Sequence, residues 1–321
     1  MKTSEELKKF YEEQLLPDLK TLDSRRKKIA IGVGLLTFAT VLVPLFVLAQ
    51  FVMDFSAKSF YLLAGSLPMS MFFSSIIWFV GHLLLTRKYA RDFKDQVIRK
   101  IVKFVDSDLN YESKKSLSIS SQNPSKFEIE DYTSGMIGKT RIEFYSLSSE
   151  YTEITDSRGR GHKWWYTPFK GIFFIADFNK KFKGTTAVFS DIAERYLGKV
   201  VGSKIQSSET INGELVKLED PEFEKTFVVY SDDQVEARYI LSTSLMQRIL
   251  EFKKKTGRDF SILFVDNTAH IAISYYKNLL EPRIFRSLLD FKQVEQYFHN
   301  IKLAVDVVED LNLNTRIWGK E

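Results

Sequence analysis

The sequence predicts an α+β protein with an N-terminal two-helix transmembrane hairpin, followed by a mainly antiparallel, β-rich cytoplasmic domain with covering helices. Two observations carry this. Ile29–Met53 and Ser59–Thr86 hold no charged residue, and at about 1.5 Å per helical residue each can cross a hydrocarbon layer of about 30 Å. From residue 127 onward the pattern changes to short alternating runs broken by Gly, Asn and Asp, which is how half-buried strands read.

Composition removes several function classes. The chain has 321 residues, 44% hydrophobic and 27% charged, so it can fold around a core. With no cysteine it has neither a thiol nucleophile nor a cysteine-ligated metal site. Its 4 His (His82, His162, His270, His299) are not at metal-ligand spacing, and no metal or cofactor is expected. The net charge of +5 is mild, and its clusters hug the apolar runs rather than one soluble face. A lipid bilayer is therefore the expected partner, and nucleic acid is not.

Residues 1–28 read as a cytoplasmic amphipathic segment. Thr3 and Glu6 have capping-box spacing, Leu7, Phe10, Tyr11, Gln14 and Leu15 share a stripe, and Pro17 should end or bend the helix. Packing on the soluble domain is preferred to lying on the membrane. Residues 29–86 form the hairpin, with spans 29–53 and 59–86, and Pro44 and Pro68 inside them are tolerated between neighbouring helices. The first run starts too late, and is too long, for a cleaved signal peptide. Lys20, Arg25–Lys28, Arg87, Lys88, Arg91 and Lys94 flank the outer ends, while the connecting loop holds one Lys. That asymmetry places both termini of this multi-pass chain in the cytoplasm.

Residues 87–109 continue as a juxtamembrane helix, with Phe93, Val97, Ile98, Ile101, Val102 and Val105 at three- and four-residue steps. Residues 110–321 form the α+β domain, in two halves meeting near 201–214. Asn110–Ser125 reads as a polar boundary loop. Strands are expected over 127–132, 139–154, 162–178 and 185–190, as a meander burying one face, and in a hairpin over 259–274 that turns at Asp266-Asn267. Helices are expected over 191–200, 242–255 and 290–311.

No catalytic motif stands out. Gly138-Lys139-Thr140 is not a phosphate loop, because the pattern needs glycine where Thr133 stands. Asp232, Asp233 and Glu236 beside Arg238, with His270, are the only candidates for acid–base or cation chemistry. The plainer reading has the aspartates capping the next helix and Arg238 pairing with one of them. Trp164 and Trp165 beside Arg158 and Arg160, together with Arg87, Lys88 and Arg91, are candidates for membrane or partner contact.

Three strings carry a family resemblance: FKGIFFIADFNKKFKG from Phe169 to Gly184, LEDPEFEKTFVVYSDDQVEARYIL from Leu218 to Leu241, and LNLNTRIW from Leu311 to Trp318. They resemble the bacterial DUF3137 family, whose pattern of two N-terminal spans followed by this domain covers nearly the whole chain. The resemblance implies a bacterial membrane protein with no assigned activity and no catalytic residues to carry over. The leading expectation is a membrane-anchored interaction or scaffold module with an unidentified protein partner. A membrane-associated enzyme acting on lipid or peptidyl substrate through the 232–238 cluster, and an anionic-lipid sensor, are the alternatives.

Overall fold

A computed structural model describes residues 3–53, 57–114, 126–154, 163–177, 183–190, 213–275, 279–311 and 313. It is an α+β protein with two long apolar N-terminal helices and an antiparallel sheet. The chain forms two compact units. Met1–Lys100 with Glu281–Glu295 makes the helical unit, and Ile101–Leu280 with Gln296–Glu321 makes the sheet unit.

In the helical unit, α1 (Ser4–Phe10) starts with the capping box its sequence predicts. The Thr3 hydroxyl accepts from the Glu6 N–H, and the Glu6 carboxylate accepts from the Thr3 N–H at 2.7 Å. A π-turn over Tyr11–Leu15 joins it to α2 (Leu16–Met53). Pro17 was expected to end or bend the helix, yet the helix runs through it. The wider π-turn lies just ahead of Pro17, where the ring would otherwise press on the carbonyl four residues back. Leu7, Phe10, Tyr11 and Leu15 are buried as predicted, whereas Gln14 is exposed.

The return helix, α3 (Ala57–Phe93), passes through a second π-turn (Lys94–Ile98) into α4 (Arg99–Val105). α2 and α3 pack along a seam where the Leu36 side chain lies over Gly81. A Cβ on Gly81 would lie 2.7 Å from Leu36 Cδ2. The Trp78 indole N–H donates to Thr37 Oγ1 at 2.9 Å, and Thr37 donates to the Val33 carbonyl at 2.8 Å.

The segment Glu281–Glu295 straps the base of this unit. Asp23, 2% exposed, accepts from Arg26 Nε at 2.7 Å and from the Leu288 N–H at 3.1 Å. Arg26 Nη1 donates to the Ile284 carbonyl at 2.9 Å. The Tyr11 hydroxyl donates to the Leu289 carbonyl at 2.8 Å, and its ring meets Phe291 edge-on at 5.3 Å. Buried Lys94 pairs with Glu281 at 2.6 Å. Burial opposes the charge on Asp23, but the Arg26 hydrogen bond, the Leu288 N–H and the Arg26 and Lys27 charges outweigh it, so its carboxyl stays below the ordinary range.

The sheet unit contains β1 (Asn110–Lys114), β2 (Lys126–Ile137), β3 (Thr140–Ile154), β4 (Lys163–Asp177), β5 (Thr186–Ser190), β6 (Glu214–Leu215), β7 (Phe227–Ser231), β8 (Phe260–Val265) and β9 (Thr268–Ser274). They form one antiparallel sheet in the order β1-β2-β3-β4-β9-β8-β5-β7-β6. The meander holds through β4. Beyond it β5 lies between β8 and β7, pairing with both.

The expectation of one buried face needs correcting. Tyr145 pairs with Phe173 on one face, and Phe144 pairs with Phe174 on the other; all four are buried. Every residue of β5 is buried too, which explains its lack of polar alternation. The 110–125 boundary loop also changes. Asn110–Lys114 is an edge strand paired with β2, anchored by Tyr111, whose hydroxyl donates to Asp131 at 2.6 Å. Gly171 has no room for a side chain, since a Cβ would run into the Ile273 carbonyl across the β4–β9 pair.

Four helices belong wholly or mainly to this unit: α5 (Pro221–Thr226), α6 (Gln234–Ile240), α7 (Thr243–Thr256) and α8 (Phe291–Asp310). α7 begins at Ser242, whose hydroxyl faces the Leu245 N–H, and ends at Gly257 with φ 60°, a left-handed position suited to glycine. Its Phe252 meets Phe260 edge-on at 5.1 Å, and the aromatic chain continues through Phe227 to Phe223. Burying rings of this size contributes about 2–3 kcal/mol each. The helix predicted over 191–200 and the boundary segment 201–212 lie outside the described residues.

Candidate functional site

The largest chemical feature is the surface of the paired helices. Ile31, Leu35, Phe38, Leu42 and Phe46 of α2 are exposed, as are Phe72, Phe73, Ile77, Phe79 and Leu84 of α3. Both helices are long and apolar enough to cross a membrane. Exposed Arg25, Lys27, Lys28, Arg87, Lys88 and Arg91 border the band on the side of the chain's N-terminal segment. Among them, Arg25 pairs with Asp92 at 3.0 Å and Lys27 lies 3.5 Å from Asp23.

The acidic cluster has a different use. Asp233 caps α6, accepting from the Val235 and Glu236 N–H groups at 2.9 Å each. Asp232 accepts from the Thr185 N–H at 2.6 Å, and Glu236 accepts from Lys183 and Gly184 at 3.0 and 2.8 Å. Three consecutive backbone amides are thus held by two carboxylates, a nest filled from within the chain. Gly184 fits because a Cβ there would collide with the Asp232 carboxylate. Arg238 does not pair with an aspartate. It caps backbone carbonyls instead, donating to Gln234 at 2.8 Å and Lys217 at 3.3 Å.

His270 stands apart from these carboxylates. It sits on β9 opposite Ile175 and Leu263, its Nε2 2.8 Å from Thr268 Oγ1 and its ring edge-on to Phe173. β8 and β5 separate β9 from β7, a distance of about 14 Å at ordinary strand spacing. Trp164 and Trp165 lie on β4 opposite Glu153 and Thr152. Arg158 and Arg160 lie outside the described residues.

Two features were invisible to sequence reasoning. One is Asp131, buried with φ 57° at a register shift between β2 and β3. It borders a small open depression with Phe144, Ile172, Asn300 and Ile301. The other is the strap over Asp23 and Arg26. Its only local sign is the three-residue spacing of an acid and a base; its partners lie more than 250 residues away. Among the described residues no group of acidic or histidine side chains could hold a metal ion.

These features define an α+β protein with two long apolar helices and no assembled catalytic group among the candidates named. Residues 167–313 match the model of a family described as "Protein of unknown function (DUF3137)", supporting the resemblance from β4 through α8 but not over β1–β3 or the two long helices. No curated protein matches the chain. Among solved structures, the crystal structure of the mycobacterial trehalose monomycolate transport factor A, TtfA, is similar at 9% identity and a TM-score of 0.32, covering 66% of this chain and 96% of that one.

Proposed function

We propose that this chain is a membrane-anchored protein-interaction or scaffold module. The two helices span a bacterial plasma membrane as a hairpin, and both termini and the sheet unit face the cytoplasm. The observation that carries this is the exposed apolar band on α2 and α3. Large apolar side chains stand exposed in one band along both helices, the pattern that marks a membrane or partner surface. The cation-rich outer ends support this orientation.

An interaction role is supported by the β6 edge of the sheet unit. Leu215, Val235 and Tyr239 are exposed there, Val235 at 79%, while the neighbouring carboxylates are committed to the backbone. Photo-crosslinkers at Val235 and Tyr239, in the full chain in its native membrane, test the reading. One discrete adduct common to both positions supports it; no adduct at either position rejects it.

A further inference from the structure

The strap contains an exposed aromatic residue with no role in holding it. Phe285 is 73% exposed, and the adjacent Arg283 and Arg286 are exposed too. Its height on the helical unit is fixed by its neighbours. Arg26 Nη1 binds the Ile284 carbonyl, Asp23 binds the Leu288 N–H, and Tyr11 binds the Leu289 carbonyl. Glu281, at the start of the strap, pairs with Lys94 beyond the end of α3, and from Ile284 the chain descends α2 away from the apolar band, so Ile284 and Phe285 stand at the crest of the strap. Arg26 stands three residues before the uncharged run that begins at Ile29, about 4.5 Å along the helix axis.

We infer that the strap is an interfacial anchor that docks on an anionic bilayer surface, Phe285 entering the headgroup layer and Arg283 and Arg286 meeting lipid phosphates. This rests on the membrane-spanning reading above. An aromatic ring between two guanidinium groups at this height fits the boundary between headgroups and hydrocarbon. Phosphates attract the guanidinium groups, and the ring removes apolar surface from water. Asp23 and Arg26 hold the strap to the foot of α2, so docking presents a preformed loop rather than ordering a free one.

The absence of cysteine makes the test direct. Single cysteines at Phe285, Phe46 and Val235 in the full chain are spin-labelled in vesicles containing one-third phosphatidylglycerol. Collision with oxygen and with a water-soluble nickel chelate is then measured. The expected result is a deep label at 46, an aqueous label at 235, and an oxygen-to-chelate ratio at 285 several-fold above that at 235. The 285 ratio should fall in purely zwitterionic vesicles and in the Arg283→Gln/Arg286→Gln protein. A deep label at 46 with 285 as aqueous as 235 overturns the anchor and leaves the hairpin standing. An aqueous label at 46 overturns both. A 285 ratio indifferent to lipid charge overturns the anionic surface.

Discussion

Arg26 Nε lies 2.7 Å from Asp23 Oδ1 one helical turn away, and the side chains are only 10% and 3% exposed. Each also holds the backbone of a segment far along the chain, Asp23 at Leu288 and Arg26 at Ile284. The pair links the foot of the hairpin to the strap. Removing one member leaves a buried charge uncompensated, which costs about 3–5 kcal/mol. Asp23→Ala should therefore release the strap. Hydrogen exchange at the Leu288 amide should rise by at least a hundredfold; an unchanged rate would contradict the assignment.

The strap should also loosen at both ends of the pH scale. The Asp23 pKa is lowered, so its contribution is complete above the unfolded carboxyl pKa of about 3.9 and is lost as pH falls through the lower folded value. Tyr11 shifts the other way: burial, Asp290 and Glu12 all oppose its ionisation. Its contribution is complete below about pH 10, the unfolded value, and is lost as pH rises through the higher folded one. Tyr11→Phe should remove the alkaline loss while keeping the acid one, as read from Leu288 and Leu289 exchange between pH 3 and 11 after correction for intrinsic rates.

Inside the hairpin, Trp78 and Thr37 join α3 to α2. Hydrogen bonds between membrane helices average about 0.6 kcal/mol in double-mutant cycles. A Trp78→Phe/Thr37→Val cycle in bilayers should return a coupling of that size. Zero coupling would mean the seam relies on packing alone.

At the sheet, Asp232→Asn and Glu236→Gln should each destabilise by about 1–3 kcal/mol, because charged acceptors of backbone N–H groups are lost. The loss should appear in the melting temperature and in faster exchange at Gly184 and Thr185. Unchanged stability with a loss of some catalytic turnover would favour the enzyme reading instead.

Local chemistry was legible in the sequence. The capping box at Thr3, the start of α7 at Ser242 and the hairpin turn at Asp266 are written within a few residues, and the structure has all of them. The buried stripe of Phe93, Val97, Ile98, Ile101 and Val102 was legible for the same reason. The place of β5 between β8 and β7, the edge strand at Asn110, and the strap were not. Each depends on a partner remote in the chain, and β5 reads as a plain apolar run because both its faces are covered. Of the candidate site, the Asp233 cap was readable from spacing. The capture of residues 183–185 by Asp232 and Glu236 spans about fifty residues and left no pattern.

The central claim is that the apolar helices cross a bilayer with the sheet unit inside the cell. It is tested most directly by single cysteines in this cysteine-free chain, one at Lys58 between the two apolar runs and one at Asp266 in the β8–β9 turn. A membrane-impermeant maleimide should label position 58 in intact spheroplasts and position 266 only after permeabilisation. Labelling of position 266 in intact spheroplasts, or recovery of the unlabelled chain in the soluble fraction without detergent, would contradict it.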